Sequence, residues 1–116
     1  MSDYKSNENN QKKINQDTNE EGYLLHFDQW NAEFAEKAAK LYRVSLSSEH
    51  WEIIYLLRET FQKTKLSPNT RSLVKLVKHN LGSDKGNSFY IMQLFTGNPA
   101  LVASKISGLP KPKQCF

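Results

Sequence analysis

Cysteine is the strongest side-chain nucleophile in this chain, and there is one, Cys115, just before the final residue, Phe116. It ends the run Leu109-Pro110-Lys111-Pro112-Lys113-Gln114. There, two prolines at alternate positions remove backbone donors and bias Leu109 and Lys111 toward extended backbone. The run cannot be helical. The spacing predicts an extended, flexible arm leaving the body at Gly108, with the thiol up to roughly 23 Å away. An exposed thiol on a proline-stiffened arm could enter a partner's active site as no core cysteine could. A thiolate attacking an enzyme-bound persulfide would take the outer sulfur and present it to an acceptor, carrying the group without making it. Lys111 and Lys113 favour the thiolate and the α-carboxylate of Phe116 disfavours it, so a partner's site is expected to complete the activation. Judged on residue type alone, a lone cysteine near a terminus is more often incidental than functional.

Other residues offer less chemistry. His26, His50 and His79 are scattered over three elements with no second ligand three or four positions away, so no metal site is expected. No Ser/His/Asp order, GxGxxG or P-loop occurs, so no cofactor is expected either. Glu49 and Glu52 read as acids at the positive end of a helix, and Trp51, Tyr55 and Phe61 as core. Arg71, Lys75 and Lys78 fall at i, i+4 and i+7, on one helix face. That row opens a second class of function, a helix-turn-helix regulator that binds nucleic acid. Solvated basic faces are common on helices, and nothing beside this row must read base edges.

The elements that would position these groups follow from apolar periodicity. From Asp28, a plausible cap, Trp30, Phe34, Ala38 and Leu41 or Tyr42 recur at helical spacing to about Tyr42. A second helix opens at Ser47-Ser48-Glu49 and runs to about Lys63. Its middle, Ile53-Ile54-Tyr55-Leu56-Leu57, is apolar all round, so it should be the central, enclosed helix. Ser67-Pro68 reads as a cap followed by proline in the first turn of a third helix, with the stripe Leu73, Val74, Val77 and Leu81 and a stop at Gly82. A short helix carries Phe89 to Phe95, and a last one runs from Ala100 to Ile106, closed by Gly108. The expected fold is mainly α, a small orthogonal bundle of about five helices. Helices two and three are in a helix-turn-helix-like arrangement, and there is no convincing sheet beyond a marginal N-terminal hairpin.

At 116 residues and 13.4 kDa the chain fits one domain: a polar, flexible segment over 1–20, a helical body over 21–108 and a mobile arm over 109–116. One cysteine excludes an internal disulfide. The net charge is +4, but residues 60–116 hold nine bases against Asp84 alone, a polarity that suits an acidic partner surface or a polyanion. No apolar run approaches the roughly 18 residues of a membrane span, and MSDYKSNENNQKK lacks a signal peptide's apolar stretch. A cytoplasmic protein without a membrane partner is expected.

Several motifs in order bring a family into view: Glu21-Gly22-Tyr23-Leu24; Leu46-Ser47-Ser48-Glu49-His50-Trp51-Glu52; Ser67-Pro68 with Arg71 and Leu73-Val74-Lys75; Lys85-Gly86-Asn87-Ser88 with Tyr90 and Leu94-Phe95; and Gly108-Leu109-Pro110-Lys111-Pro112 with penultimate Cys115. From about residue 21 to 116 the chain resembles the DsrC/TusE family of sulfur carriers. The resemblance implies a small helical fold, often with an N-terminal hairpin, a mobile C-terminal arm and persulfide sulfur carried on Cys115. Family members acting in sulfite reduction have a second cysteine eleven residues earlier, where this chain has Ser104. The sequence is therefore similar to the single-cysteine TusE branch rather than to a DsrC-like partner of a sulfite reductase. For that branch the resemblance implies a TusBCD-type donor complex acting through its TusD-like subunit, and an MnmA-type tRNA thiouridylase as acceptor. Wobble 2-thiouridine is then the end product, and tRNA is touched at most indirectly. The polar first twenty residues and the bulky Phe116 depart from the family pattern.

Overall fold

The computed structural model describes residues 16–113; residues 1–15 and 114–116, Cys115 among them, lie outside the described residues. The described chain starts as a narrow turn. Leu24 bridges Thr18 in antiparallel fashion, Leu25 donates its amide to the Asp17 carbonyl, and Asn19 Oδ1 accepts from the amides of Glu21 and Tyr23. Among the described residues the hairpin thus amounts to one bridge. Tyr23 and Leu24 are buried, which fixes it to the body.

Five α-helices follow a single 3-10 turn at Phe27–Gln29: α1 Ala32–Leu41, α2 Ser48–Thr64, α3 Thr70–Leu81, α4 Ser88–Phe95 and α5 Pro99–Ile106. Among the described residues none is long and apolar enough to cross a membrane. Local chemistry explains most of the boundaries. The side chains of Asn31, Asn69 and Asn87 each accept the amide three residues on, worth about 1 kcal/mol per cap. Ser47 caps α2 in a reciprocal pair, in which His50 Nδ1 accepts the Ser47 amide at 3.0 Å.

Two expected starts move. Asp28 is not the cap of α1: the 3-10 turn takes up residues 27–29, and Asn31 caps instead, with Oδ1 2.8 Å from the Phe34 amide. Ser67 does not cap α3, because Asn69 does; the Ser67 hydroxyl is used elsewhere. Gly82 has the positive φ expected of it, +98°, but its ψ of 165° sends the chain out extended rather than into a left-handed cap.

The larger correction concerns the centre. Tyr55 on α2 is 55% exposed, whereas six of the eight residues of α5 are buried. Every substantial helix packing involves α5, which touches α1, α2, α3 and α4. The reason is side-chain size: Ala100, Ala103 and Ser104 let neighbouring helices approach its backbone, and Val102 and Ile106 fill the remaining core. The stripe of α1 is likewise Phe34, Ala35, Ala38 and Ala39, while Leu41 faces solvent.

Gly86 shows how tightly the α3–α4 loop packs: a β-carbon there would fall on the Lys78 backbone of α3. Gly86→Ala should therefore destabilise the fold by about 2–3 kcal/mol, read as a lowered urea midpoint at unchanged slope.

Candidate functional site

The C-terminal run begins where α5 stops, and that stop is fully specified. Ser107 ends the helix, Gly108 takes φ +74°, the Leu109 amide donates to the Ser104 carbonyl at 2.9 Å, and the Gly108 amide to that of Lys105 at 3.3 Å. This is the paired 6→1 and 5→2 pattern of a Schellman cap. Its apolar partner is Leu109, fully buried in the main core, which contributes about 1.5–3 kcal/mol relative to exposure.

Two carbonyls at the end of α5 still need donors. The Trp30 indole N–H supplies one, to Ile106 at 2.8 Å, and Arg58 supplies the other, to Ser107 at 3.0 Å. The second arm of Arg58 reaches the Phe27 carbonyl at 3.0 Å, and its guanidinium lies over the Phe27 and Trp30 rings at 3.7 and 4.2 Å. Burial pushes the Arg58 pKa down to about 10, which leaves it charged at neutral pH. Trp30 packs edge-on against Trp51 and Tyr55, and Phe27 stacks on Phe61. The three aromatic residues of α2 thus form a half-exposed wall around this clamp rather than core proper.

Beyond Leu109 the chain is extended but does not leave the body. The Pro110 carbonyl accepts the Ser67 hydroxyl at 2.6 Å, Lys111 pairs with Glu21 at 2.9 Å, and Pro112 is buried. The expected departure at Gly108 is thus displaced to Pro112 or later. Counted from there, Cys115 is three residues on, so its Cα lies within about 11 Å of that of Pro112 by chain geometry alone. Pro110, Lys111 and Lys113 form one wall of a groove of about 510 Å³, whose other walls are the end of α2 and the start of α3.

The sequence-derived residues fall into two groups that do not meet. Gly108, Leu109, Pro110, Lys111, Pro112 and Lys113 make the arm root and groove wall, and Cys115 lies outside the described residues. Arg71, Lys75 and Lys78 are exposed on α3; the first two line a separate hollow with Ser88. The histidines are not brought together, and among the described residues no group of three His, Cys, Asp or Glu could hold a metal. His50 is committed to structure, with Nδ1 at the Ser47 cap and Nε2 2.8 Å from the Leu94 carbonyl.

The sequence does not reveal that Arg58, Ser67 and Glu21 hold the arm, although Ser67 and Glu21 stand in its motifs. A signal for Arg58 was present: it lies on the apolar face between Ile54 and Phe61, where an unpartnered charge is rare. Ser67 and Glu21 act through contacts 43 and 90 residues away along the chain, which no local pattern carries.

A family model described as DsrC like protein matches residues 8–116, reaching further toward the start than the motifs do. The sulfurtransferase TusE homolog of Haemophilus influenzae is 46% identical over 103 residues, 89% of this chain and 94% of that protein. Sulfurtransferase TusE of Escherichia coli (strain K12) is 43% identical over 105 residues, 90% and 94%. The NMR structure of Allochromatium vinosum DsrC superposes with a TM-score of 0.76 at 42% identity, over 84% of this chain and 87% of that one. The crystal structure of the oxidised gamma-subunit of the dissimilatory sulfite reductase (DsrC) from Archaeoglobus fulgidus gives 0.72 at 40% identity, over 87% and 92%.

Removing one donor of the clamp should loosen the arm root before it unfolds the body. Arg58→Met is expected to cost about 1.5–3 kcal/mol and Trp30→Phe about 1–2 kcal/mol. In both, hydrogen exchange at the Gly108 and Leu109 amides should accelerate more than at Ile53 or Ile54; equal acceleration everywhere would contradict a local clamp.

Proposed function

The chain belongs to the DsrC-like family, and from that premise we propose that it is a cytoplasmic sulfurtransferase that carries persulfide sulfur on Cys115 in a relay for tRNA thiolation. The donor is a TusBCD-type complex acting through its TusD-like subunit, and the acceptor is an MnmA-type tRNA thiouridylase. The observation that carries this reading is the construction of the arm root. A Schellman cap, an indole and a guanidinium fix the direction in which the last residues leave α5. A carrier needs this, because a thiol tethered a few residues from a rigid anchor is delivered at high effective concentration to whatever binds the anchor.

The transfer is an exchange without net redox change. The Cys115 thiolate attacks the outer sulfur of the donor's persulfide, a new S–S bond forms at Cys115, and the donor's inner sulfur leaves as a thiolate that takes up a proton. An acceptor cysteine then attacks the outer sulfur in the same way and returns Cys115 to the thiol. No cofactor enters either step. Position 104 supports the single-thiol branch: Ser104 is buried at 1% exposure in the middle of α5, and it is an alcohol that cannot form a disulfide or trisulfide with Cys115. This disfavours the DsrC-like role beside a sulfite reductase.

The exposed basic row of α3 keeps nucleic-acid binding as a second reading. The two readings separate by experiment. Incubated with a persulfide-loaded donor and without reductant, the native chain should gain the mass of one sulfur atom, and Cys115→Ser should gain none. No gain on the native chain with a loaded donor overturns the carrier reading. Neutralising Arg71, Lys75 and Lys78 to Gln should leave sulfur uptake within about twofold, while any tRNA or DNA binding weakens and loses salt dependence.

A further inference from the structure

The groove beside the arm has a recognition chemistry of its own. Half of its polar side chains are already partnered from within. The Thr64 hydroxyl donates to the Thr60 carbonyl, the Ser67 hydroxyl to that of Pro110, Asn69 Oδ1 accepts the Ser72 amide, and Lys111 is paired with Glu21. What remains for a visitor, beside the Thr60 and Ser72 hydroxyls, is apolar or cationic. Leu66 is 68% exposed and lies with Pro68, Leu76 and Pro110 along the groove. Lys65 and Lys113 flank them, both exposed and without an ion pair among the described residues.

The field points the same way. Among the described residues, no carboxylate lines the groove. The start of α3 opens onto it through Asn69 and Ser72 and, beyond the neutral Asn69 cap, has no acidic residue in its first turn to offset its positive end. Lys65 ends α2 in the left-handed conformation, at φ +61°. A volume of about 510 Å³ suits one or two apolar side chains of a docked segment. Lys113 is two residues before Cys115, so chain length keeps the two Cα atoms within about 7 Å, and a segment seated here is within reach of the thiol.

We propose that this groove docks an acidic protein segment bearing one or two apolar side chains, contributed by a partner that exchanges sulfur with Cys115. The assignment of the partner rests on the carrier reading; the chemistry of the groove does not. Binding of this kind is steered by charge and anchored by Leu66 and the prolines, and it places the partner's reacting cysteine within the short reach of the arm.

Fluorescence anisotropy on the full chain tests the chemistry, with two labelled probe peptides of equal apolar content, one of alternating Glu and Leu and one of alternating Lys and Leu. The Glu-Leu peptide should bind and the Lys-Leu peptide should not. Affinity should fall about tenfold in Lys65→Glu/Lys113→Glu and again in Leu66→Asp, an exposed site where the fold is not at stake. Equal binding of both peptides, or unchanged affinity in the variants, overturns the proposal. So does a rise in affinity on removing residues 114–116, which makes the chain's own end the occupant, or a dimer that dissociates in Leu66→Asp, which makes it a second copy.

A second measurement ties the groove to sulfur exchange. The same variants should lose about tenfold in the rate of exchange with the donor or the acceptor. Loading by inorganic polysulfide, which gives Cys115 one sulfur and leaves one atom shorter, should be unchanged in Leu66→Asp, which keeps Lys111 and Lys113 near the thiol. Undiminished rates in both directions overturn the assignment to a sulfur-exchange partner. A native chain that binds the Glu-Leu peptide but takes no sulfur from a loaded donor overturns the carrier reading alone.

Discussion

The last carbonyls of a helix have no partner within it, and at the end of α5 they would be left in a partly buried place unless the rest of the molecule supplied donors. Trp30 and Arg58 supply them, from the stretch before α1 and from the middle of α2. Because Arg58 also holds the Phe27 carbonyl, one guanidinium ties the start of the described body to its end. The arrangement tolerates little change. Gly108 passes so close to Trp30 that a β-carbon would come within 2.6 Å of Cδ1, and its φ of +74° disfavours any L side chain. The aromatic wall of Phe27, Trp30, Trp51 and Tyr55 is best understood as the housing of this clamp.

From this clamp follows the division of labour in the chain. The body has a basic groove and a basic helix face, and the single thiol lies in the last few residues. The Ser67 and Glu21 contacts keep the extended chain against the body as far as Pro112, which is buried. The exposed Lys111–Glu21 pair adds little energy by itself, on the order of 0–1 kcal/mol. Its effect is on direction, since it selects one path for a segment that lacks the donors to form regular structure. A short free reach beside the groove is what the proposed carrier role requires.

The central position of α5 links fold and site. It is one of the two shortest α-helices, yet it is the one against which the other four pack, so its C-terminal end is fixed by the whole core rather than by one neighbour. Ser104 illustrates the coupling: its side chain is enclosed among the helices while its carbonyl closes the Schellman cap that starts the arm. A change in core packing around α5 is thereby transmitted directly to the root of the segment that bears Cys115.

The five helices, their approximate limits, the stop at Gly108, the non-helical arm and the asymmetry of charge were legible in the sequence, because each depends on residues within a few positions of one another. Periodicity marks α1 to α5, an αL-tolerant glycine followed by Leu109 marks the cap, and alternate prolines forbid helix. The family resemblance was legible for the same reason, as short motifs in a fixed order. Two caps expected from the sequence, at Asp28 and Ser67, were wrongly placed, because residues of similar capping strength, Asn31 and Asn69, stand close by. Asp28 and Asn31 could each cap α1, and Ser67 and Asn69 could each cap α3; contacts with Phe61, Arg58 and Pro110 decided. Tertiary structure alone determined that α5 rather than the more continuously apolar α2 is central, that Arg58 and Trp30 grip its end, and that the arm stays docked through Pro112. These outcomes depend on which surfaces remain unburied once all the helices are placed, and that is a property of the whole chain that no window of residues contains.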